Sequence, residues 1–98
     1  MRIRVCSWNV NSVRLRLEQI GRLTEALAPD ILCLQELKAG PDAVPADALA
    51  AFGFPHQEIR AQKGYNGVAI LSRHPLAPLP PRDWRGAGDA RHAAARIA

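Results

Sequence analysis

Residues 3–36 read IRVCSWNVNSVRLRLEQIGRLTEALAPDILCLQE, and this stretch decides the fold. Its first part, residues 3–10, contains β-branched and aromatic residues and runs into an Asn-Ser turn, which predicts a strand. Residues 31–34 are a continuous apolar run of strand length, which is typical of a strand buried on both faces. A helical segment separates the two strands, and such a strand–helix–strand unit predicts that they pair in parallel.

The segment between these strands predicts a helix over residues 13–28. One face of this helix carries residues at positions i, i+3, i+7 and i+10, which we expect to be buried: Leu17, Ile20, Thr24 and Leu27. Charged residues take the opposite side. Pro29 should end the helix, because proline has no amide hydrogen and its ring disrupts the preceding turn.

The remaining residues predict shorter elements. In chain order these are a short helix (45–51), a strand (54–61), a turn-rich loop (62–67), a buried strand (68–72), an irregular loop rich in Pro, Gly and Arg (74–89), and the start of another strand (91–98). The pattern indicates an α/β fold in which a mixed β-sheet is flanked by helices.

Composition is that of a globular chain with a basic surface. Apolar residues make up 48% of the 98 residues, which excludes a disordered chain and suits one modest core. The net charge is +4, and eleven of the thirteen cationic residues are arginine, which binds phosphate in a bidentate manner. A polyanionic partner is therefore reasonable, although a GC-rich genome would also produce an Arg- and Ala-rich chain.

The cellular location is predicted from the absence of membrane-spanning and signal segments in the sequence. It has no apolar run of the roughly 20 residues needed to span a bilayer, and its first strand does not read as a signal peptide. We therefore expect a cytoplasmic protein. Cys6 and Cys33 both lie in apolar segments. Two free thiols in a reducing compartment are the first expectation, and a disulfide is the alternative if their strands are neighbours.

Two polar residues follow the predicted parallel strands and form the candidate metal site. Asn9 lies at the carboxyl end of the first strand, and Glu36 lies at the carboxyl end of the second. Ligands bind at this edge of parallel sheets, so the two side chains should converge. A carboxylate and an amide oxygen are hard ligands that suit Mg²⁺, with Mn²⁺ as the alternative. The competing interpretation is a solvated Glu36 and a turn-forming Asn9.

Further candidates are placed near the same edge. Asn11 and Lys38 could bond to a phosphate or to Glu36, and Arg14 could form a bidentate contact with a phosphate. The loop at residues 64–67 could present backbone N–H groups and Tyr65 to a phosphate or a sugar. Each of these residues could also be an ordinary surface or turn residue. Trp8 is expected in the core. Trp84 could contact DNA, and the three histidines receive no role.

Three blocks, in this order and spacing, carry a resemblance to a known family. They are SWNVNSVR at residues 7–14, LQELK at 34–38 and GYNGVAILS at 64–72. Together they resemble the exonuclease III / AP endonuclease family of the endonuclease/exonuclease/phosphatase superfamily, and Lys38 favours this branch over phosphatase or lipase branches. The resemblance implies a DNase I-like four-layer α/β sandwich, of which residues 1–98 would be the amino-terminal half and the carboxyl-terminal half would be missing.

The resemblance also implies a function. Members of this family cut DNA 5′ to an abasic site and remove nucleotides from 3′ ends of duplex DNA, and a full-length member is expected to be a monomer. Asn9 and Glu36 match the family's amino-terminal metal-site residues. The positions that match residues near the DNA phosphates or the metal ligand are Arg14, Lys38, Tyr65 and Asn66.

The departures from the family pattern leave alternatives open. The chain has no Asp-x-Asn, no Asp-His and no tyrosine other than Tyr65, so the general base that would activate water is absent. Two alternatives to the repair nuclease therefore remain. One is a Mg²⁺-dependent phosphatase or phosphodiesterase of the same superfamily, and the other is an inactive truncated remnant that at most binds DNA weakly.

Overall fold

The computed structural model describes residues 2–79 and 93–97, which form six strands and two helices. The elements are β1 (Val5–Asn9), α1 (Leu17–Leu27), β2 (Ile31–Gln35), α2 (Ala46–Ala51), β3 (His56–Arg60), β4 (Val68–Ser72), β5 (Leu76–Leu79) and β6 (Ala94–Ile97). Trp84 and His92, considered above, lie outside the described residues. Within those residues, neither helix is long and apolar enough to cross a membrane.

The larger sheet has four strands in the order β1-β2-β4-β3. β1 and β2 pair in parallel, with Val5 opposite Ile31 and Asn9 opposite Gln35, which confirms the predicted pairing. β4 runs antiparallel to both β2 and β3, so the sheet is mixed. A second, two-stranded antiparallel sheet joins β5 to β6.

The core lies on the face of the large sheet that the helices cover. Its largest fully buried side chains include Phe54, Ile20, Leu32, Leu34, Leu37, Leu49 and Leu71. Trp8 and Cys6 are half-buried and pack against this cluster, so the prediction that Trp8 belongs to the core is correct in part. Burial alternates along part of β2. Leu32 and Leu34 are fully buried, whereas Cys33 and Gln35 on the opposite face are half-exposed. The prediction that β2 is buried on both faces is therefore correct only in part.

The first helix is shorter than predicted. It begins at Leu17 instead of residue 13, because the backbone N–H groups of Ser12 and Val13 bond to the carbonyls of Glu36 and Leu37. These bonds hold the preceding segment against the end of β2 in a series of turns. At the other end, Ala28 adopts a left-handed conformation and its N–H caps the carbonyl of Thr24.

The predicted buried face of α1 is mostly confirmed. Ile20 and Thr24 are buried, and the Thr24 hydroxyl donates to the Ile20 carbonyl at 2.9 Å. Leu17 is half-buried against the core. Leu27 is 45% exposed, so its predicted burial is wrong. Leu27 is the last residue of the helix, where the chain turns away towards Pro29.

Three other sequence predictions are corrected. Residues 76–79 form strand β5, where an irregular loop was expected, because they pair with β6, a partner that local sequence cannot indicate. The first strand begins at Val5, and the third spans His56–Arg60 within the longer predicted range. The short helix, the strand Val68–Ser72 and the turn-rich loop between β3 and β4 are confirmed.

The two cysteines are free thiols. Their strands are neighbours, but Cys6 is opposite Leu32 and Cys33 is opposite Ser7, so the side chains point to different faces of the sheet. The disulfide alternative is therefore wrong. Burial raises the pKa of the Cys33 thiol, which makes it a weak nucleophile.

Asp30 links neighbouring strands by hydrogen bonds at the end of the sheet that lies away from Asn9 and Glu36. Its carboxylate accepts a hydrogen bond from the Arg4 backbone N–H at 2.8 Å, and its own N–H donates to the Arg4 carbonyl at 2.8 Å. The Asp30 carbonyl accepts from the Arg73 N–H at 3.0 Å. His74 Nε2 lies 3.2 Å from the other Asp30 carboxylate oxygen. One residue thus joins the start of β1, the start of β2 and the end of β4.

Candidate active site

The side chains of Asn9 and Glu36 meet at the carboxyl end of the two parallel strands. Asn9 is the last residue of β1 and lies opposite Gln35, so Glu36 emerges directly beside it. The Asn9 Nδ2 group donates a hydrogen bond to Glu36 Oε2. The structure therefore brings together the two residues that the strand ends were expected to juxtapose.

Asn9 bonds in two directions and so orients the carboxylate. While its Nδ2 donates to Glu36, its Oδ1 accepts the backbone N–H of Asn11 at 3.2 Å. In this arrangement the amide oxygen faces the turn and not the carboxylate. Rotation of the amide by half a turn would exchange the two groups and present an oxygen beside Glu36.

Lys38 brings a positive charge to the same place. Its Nζ donates a hydrogen bond to Asn11 Oδ1 and lies 3.6 Å from Glu36 Oε1. Asn9, Asn11, Glu36 and Lys38 therefore form one connected polar cluster, which we call the strand-end cluster. Side chains of Glu36 and Lys38 remain 43% and 35% exposed, so a ligand can reach both.

The surroundings of Glu36 favour its ionised form. The hydrogen bond from Asn9 is the main cause that lowers the pKa of Glu36 below its ordinary value, and the positive charge of Lys38 acts in the same direction. Desolvation raises the pKa, with an effect that is smaller than that of the Asn9 hydrogen bond and larger than that of the Lys38 charge. Glu36 is thus an anion at neutral pH, as a cation ligand must be.

The backbone of the strand-end cluster is unusual. Asn11, Glu36 and Lys38 have φ angles of 46°, 56° and 53°, all in the left-handed region. Few residues other than glycine adopt this region, and backbone strain of this kind gathers at functional sites when the surrounding structure holds it in place. Here the holding contacts are the hydrogen bonds from Ser12 N–H to Glu36 O and from Val13 N–H to Leu37 O, both at 2.9 Å.

The loop 62–67 lies against the other side of the same segment. The Leu37 N–H donates to the Gly67 carbonyl at 3.1 Å, and the Lys38 N–H donates to the Asn66 carbonyl at 2.9 Å. Asn66 therefore contacts the cluster through its backbone, while its side chain bonds to Gln62 at 3.2 Å. Tyr65 stands at the tip of the loop, 57% exposed.

Arg14 is exposed in the turn between β1 and α1. The neighbouring bond from Val13 N–H to the Leu37 carbonyl keeps this turn beside the end of β2. Within the described residues, the side chains of Arg14 and Tyr65 make no hydrogen bond. The sequence thus predicted four side chains that the structure joins directly and three that it places around them (Arg14, Tyr65 and Asn66).

The oxygen donors near Glu36 suit a hard divalent cation that takes few ligands from the protein. Among residues 2–79 and 93–97, no three His, Cys, Asp or Glu residues gather into a metal-binding group. Glu36 is the one carboxylate of the strand-end cluster as defined above, and the amide oxygens of Asn9 and Asn11 accept hydrogen bonds from Asn11 N–H and Lys38 Nζ. Mg²⁺ commonly takes one or two protein carboxylates and keeps several waters, so this set suits it better than Zn²⁺ or Ca²⁺.

Sequence reasoning missed the residue that brings the loop close to Glu36. Gly67 is buried, and a Cβ atom there would lie 2.9 Å from the Leu37 Cβ. The available signal was the pair of glycines that bracket Tyr65 and Asn66. It indicated a turn, but it could not indicate what the turn packs against.

Comparison with known proteins gives a family match over nearly the whole chain. Residues 6–98 match the model of the Endonuclease/Exonuclease/phosphatase family. Among curated proteins, exodeoxyribonuclease III of Haemophilus influenzae is 36% identical over 67 residues, which are 68% of this chain and 25% of that protein. The DNA repair nuclease APEX1 of Danio rerio is 36% identical over 75 residues, which cover 72% of this chain and 24% of that protein.

Solved structures agree with these sequence relatives. A 3′-5′ exonuclease from Neisseria meningitidis superposes with a TM-score of 0.85 at 39% identity, over 98% of this chain and 38% of that one. An AP endonuclease from Archaeoglobus fulgidus superposes with a TM-score of 0.88 at 32% identity, over 99% of this chain and 38% of that one. The chain thus spans about a quarter to two fifths of the length of these proteins.

Proposed function

The chain belongs to the endonuclease/exonuclease/phosphatase family, and on this premise we propose that the intact gene product acts in DNA repair as a nuclease of the exodeoxyribonuclease III type. Relatives with nuclease and DNA-repair names confirm the resemblance read from the three sequence blocks. The DNase I-like fold class is confirmed by the AP endonuclease structure that superposes on nearly the whole chain. The proposed reaction is Mg²⁺-dependent hydrolysis of phosphodiesters at abasic sites and 3′ ends of duplex DNA.

One observation carries the proposal: the Asn9 amide and the Glu36 carboxylate are bonded together at the ends of two parallel strands, beside Lys38. Glu36 would hold the divalent cation, and Asn9 would orient the carboxylate or supply an amide oxygen. Such a cation, when bound, polarises a phosphoryl oxygen and stabilises the leaving alkoxide. Mn²⁺ has similar ligand preferences and could replace Mg²⁺.

Cationic and amide side chains around Glu36 would bind the DNA phosphates. Lys38 already pairs with Glu36 and Asn11, so a phosphate drawn to the cluster would meet its ammonium group. Arg14 and Tyr65 are exposed and free to contact the strand on either side. Asn66 would hold Lys38 in place, because its backbone carbonyl accepts a hydrogen bond from the Lys38 N–H.

None of these side chains is suited to act as the general base that activates water. Within the described residues the cluster contains one carboxylate and no histidine, and the Asp30–His74 pair lies at the other end of the sheet. We therefore assign to residues 1–98 the holding of the cation and of the phosphates. We expect these 98 residues alone to show no Mg²⁺-dependent nuclease activity.

A second candidate is hydrolysis of a terminal phosphate on DNA. It is favoured by a structure from Neisseria described as a 3′ phosphatase bound to a product DNA hairpin, which is 40% identical over 99% of this chain and superposes with a TM-score of 0.80. The same strand-end cluster would serve, since holding a cation and phosphate oxygens is common to both reactions.

The test uses the intact gene product and duplex DNA with a single abasic site. Glu36→Ala should reduce Mg²⁺-dependent cleavage by more than about 100-fold, since even the partners of metal ligands usually contribute 10- to 100-fold. Glu25→Ala, which removes an exposed carboxylate from α1, is the matched control and should keep full activity. A duplex ending in a 3′ phosphate separates the two candidates. Full cleavage by Glu36→Ala would refute the proposal.

A further inference from the structure

Gly67 lies where the loop 62–67 packs closely against the segment that follows β2. Its φ angle is 92°, and a Cβ atom on it would lie 2.9 Å from Leu37 Cβ and 3.3 Å from Leu37 Cγ. Real Cβ atoms essentially never come that close, so any other residue at this position would force the segments apart. Leu37 cannot yield easily, because its side chain is fully buried in the core.

Leu37 lies between the two charged residues of the strand-end cluster. Its carbonyl accepts the Val13 N–H and its N–H donates to the Gly67 carbonyl, so it is held from both sides. Glu36 and Lys38, on either side of it, both have left-handed φ angles. Glu36 bonds to Asn9 and Lys38 bonds to Asn11, so the side chains on both sides of Leu37 belong to the cluster.

We propose that Gly67 is a positioning residue, which sets the Glu36 carboxylate by allowing the loop 62–67 to hydrogen-bond to Leu37 and Lys38. It acts through the backbone and touches no ligand itself. The metal part of its test rests on the function proposed above, whereas the hydrogen-bonding part does not.

The loop contains its own control. Gly64 has a φ angle of 84°, close to that of Gly67, but a Cβ atom on it would meet nothing within 4 Å. Gly64→Ala and Gly67→Ala therefore impose similar left-handed strain on the same loop. They differ in the contact with Leu37, so a difference between the two variants measures that contact.

The experiment compares amide hydrogen exchange at Leu37 and Lys38, and Mn²⁺ affinity, in the intact gene product. Gly67→Ala should speed exchange at both amides by at least about tenfold relative to Gly64→Ala, because their acceptor carbonyls move away. Mn²⁺ affinity should fall by about 10- to 100-fold in Gly67→Ala only, as for other groups that orient a metal ligand. Equal behaviour of the two variants would overturn the proposal, and so would failure of Gly67→Ala alone to fold, which would indicate a purely structural role.

A second measurement needs no glycine variant. Coupling is reciprocal, so Mg²⁺ at saturation should slow exchange of the Leu37 and Lys38 amides in the wild-type protein. No slowing by a cation that binds at Glu36 would also overturn the proposal. The variant Glu36→Gln shows whether the proposed metal site, and not the role of Gly67, has failed. If that variant binds Mn²⁺ as tightly as the wild type, the metal site itself is wrong, and the exchange difference between the glycine variants still decides the role of Gly67.

Discussion

The two ends of the parallel strands each carry one carboxylate that joins neighbouring strands, and they use it differently. At the amino end of β2, Asp30 accepts a backbone N–H from Arg4 and faces His74. At the carboxyl end, the partners of the Glu36 carboxylate among the described residues are the side chains of Asn9 and Lys38. Glu36 has a left-handed backbone conformation with a φ angle of 56°, whereas the φ angle of Asp30 is not positive.

We propose that this difference separates a structural carboxylate, Asp30, from a functional one, Glu36. Both carboxyl groups have a lowered pKa, Asp30 chiefly because of the Arg4 backbone N–H and Glu36 chiefly because of the Asn9 amide. The shift alone therefore does not distinguish them. A backbone donor is fixed by the sheet and cannot be exchanged, whereas side-chain partners can turn away when a cation or a phosphate arrives. The kind of partner is the more informative observation.

The largest effect on the functional end, after the loss of Glu36 itself, should come from Asn9→Ala. This change removes the donor that orients Glu36 and so allows the pKa of Glu36 to rise towards its ordinary value of 4.5. We expect Mg²⁺-dependent cleavage to fall by about 10- to 100-fold, with little change in the unfolding midpoint, because Asn9 is exposed. Steady-state cleavage and urea unfolding on the same preparation check both parts. A loss of stability without a loss of cleavage would reverse the assignment of the two ends.

The structural end should show the opposite behaviour. Asp30→Ala removes the acceptor of the Arg4 N–H and the partner of His74, so strands β1, β2 and β4 lose a common attachment. We expect a lower thermal midpoint and nearly unchanged cleavage at a temperature where the variant is folded. Thermal unfolding followed by circular dichroism, with the cleavage assay beside it, measures this. A variant that is fully stable but inactive would contradict it.

The smallest predicted effect is a pH dependence that belongs to Asp30. Its pKa in the folded protein lies below the ordinary value of 3.8, so its contribution to stability is complete above that value and is lost as the pH falls through the lower, folded pKa. The stability difference between the wild type and Asp30→Ala should therefore be constant near neutral pH and shrink below 3.8. Urea midpoints over an acid series test this. A difference that grew on acidification would have the wrong sign.

Much of this arrangement could be predicted from local patterns. The apolar run of β2, the helical spacing of Ile20 and Thr24, and the position of Asn9 after β1 each depend on neighbouring residues in the chain. Parallel pairing then required only the strand–helix–strand order, and it placed Glu36 beside Asn9. The three sequence blocks identified the family because their residues lie around this one edge.

The rest depended on contacts between distant residues. Asp30 and His74 are separated by 44 positions, and neither belongs to a motif. Local sequence does not indicate β5 as a strand, because its partner β6 follows a Pro- and Gly-rich stretch of the chain. The left-handed conformations of Glu36 and Lys38 arise from bonds to two other segments, at Ser12 and at the loop 62–67. No propensity of Glu or Lys indicates them.

Mn²⁺ binding to the intact gene product, followed by electron paramagnetic resonance, tests most directly the claim that Glu36 and not Asp30 is the functional carboxylate. Wild type, Glu36→Gln and Asp30→Asn would be titrated under conditions where all three are folded. The structure predicts that Glu36→Gln loses at least about 100-fold in affinity, while Asp30→Asn binds as the wild type does. Unchanged binding by Glu36→Gln, or an equal loss in Asp30→Asn, would contradict the account.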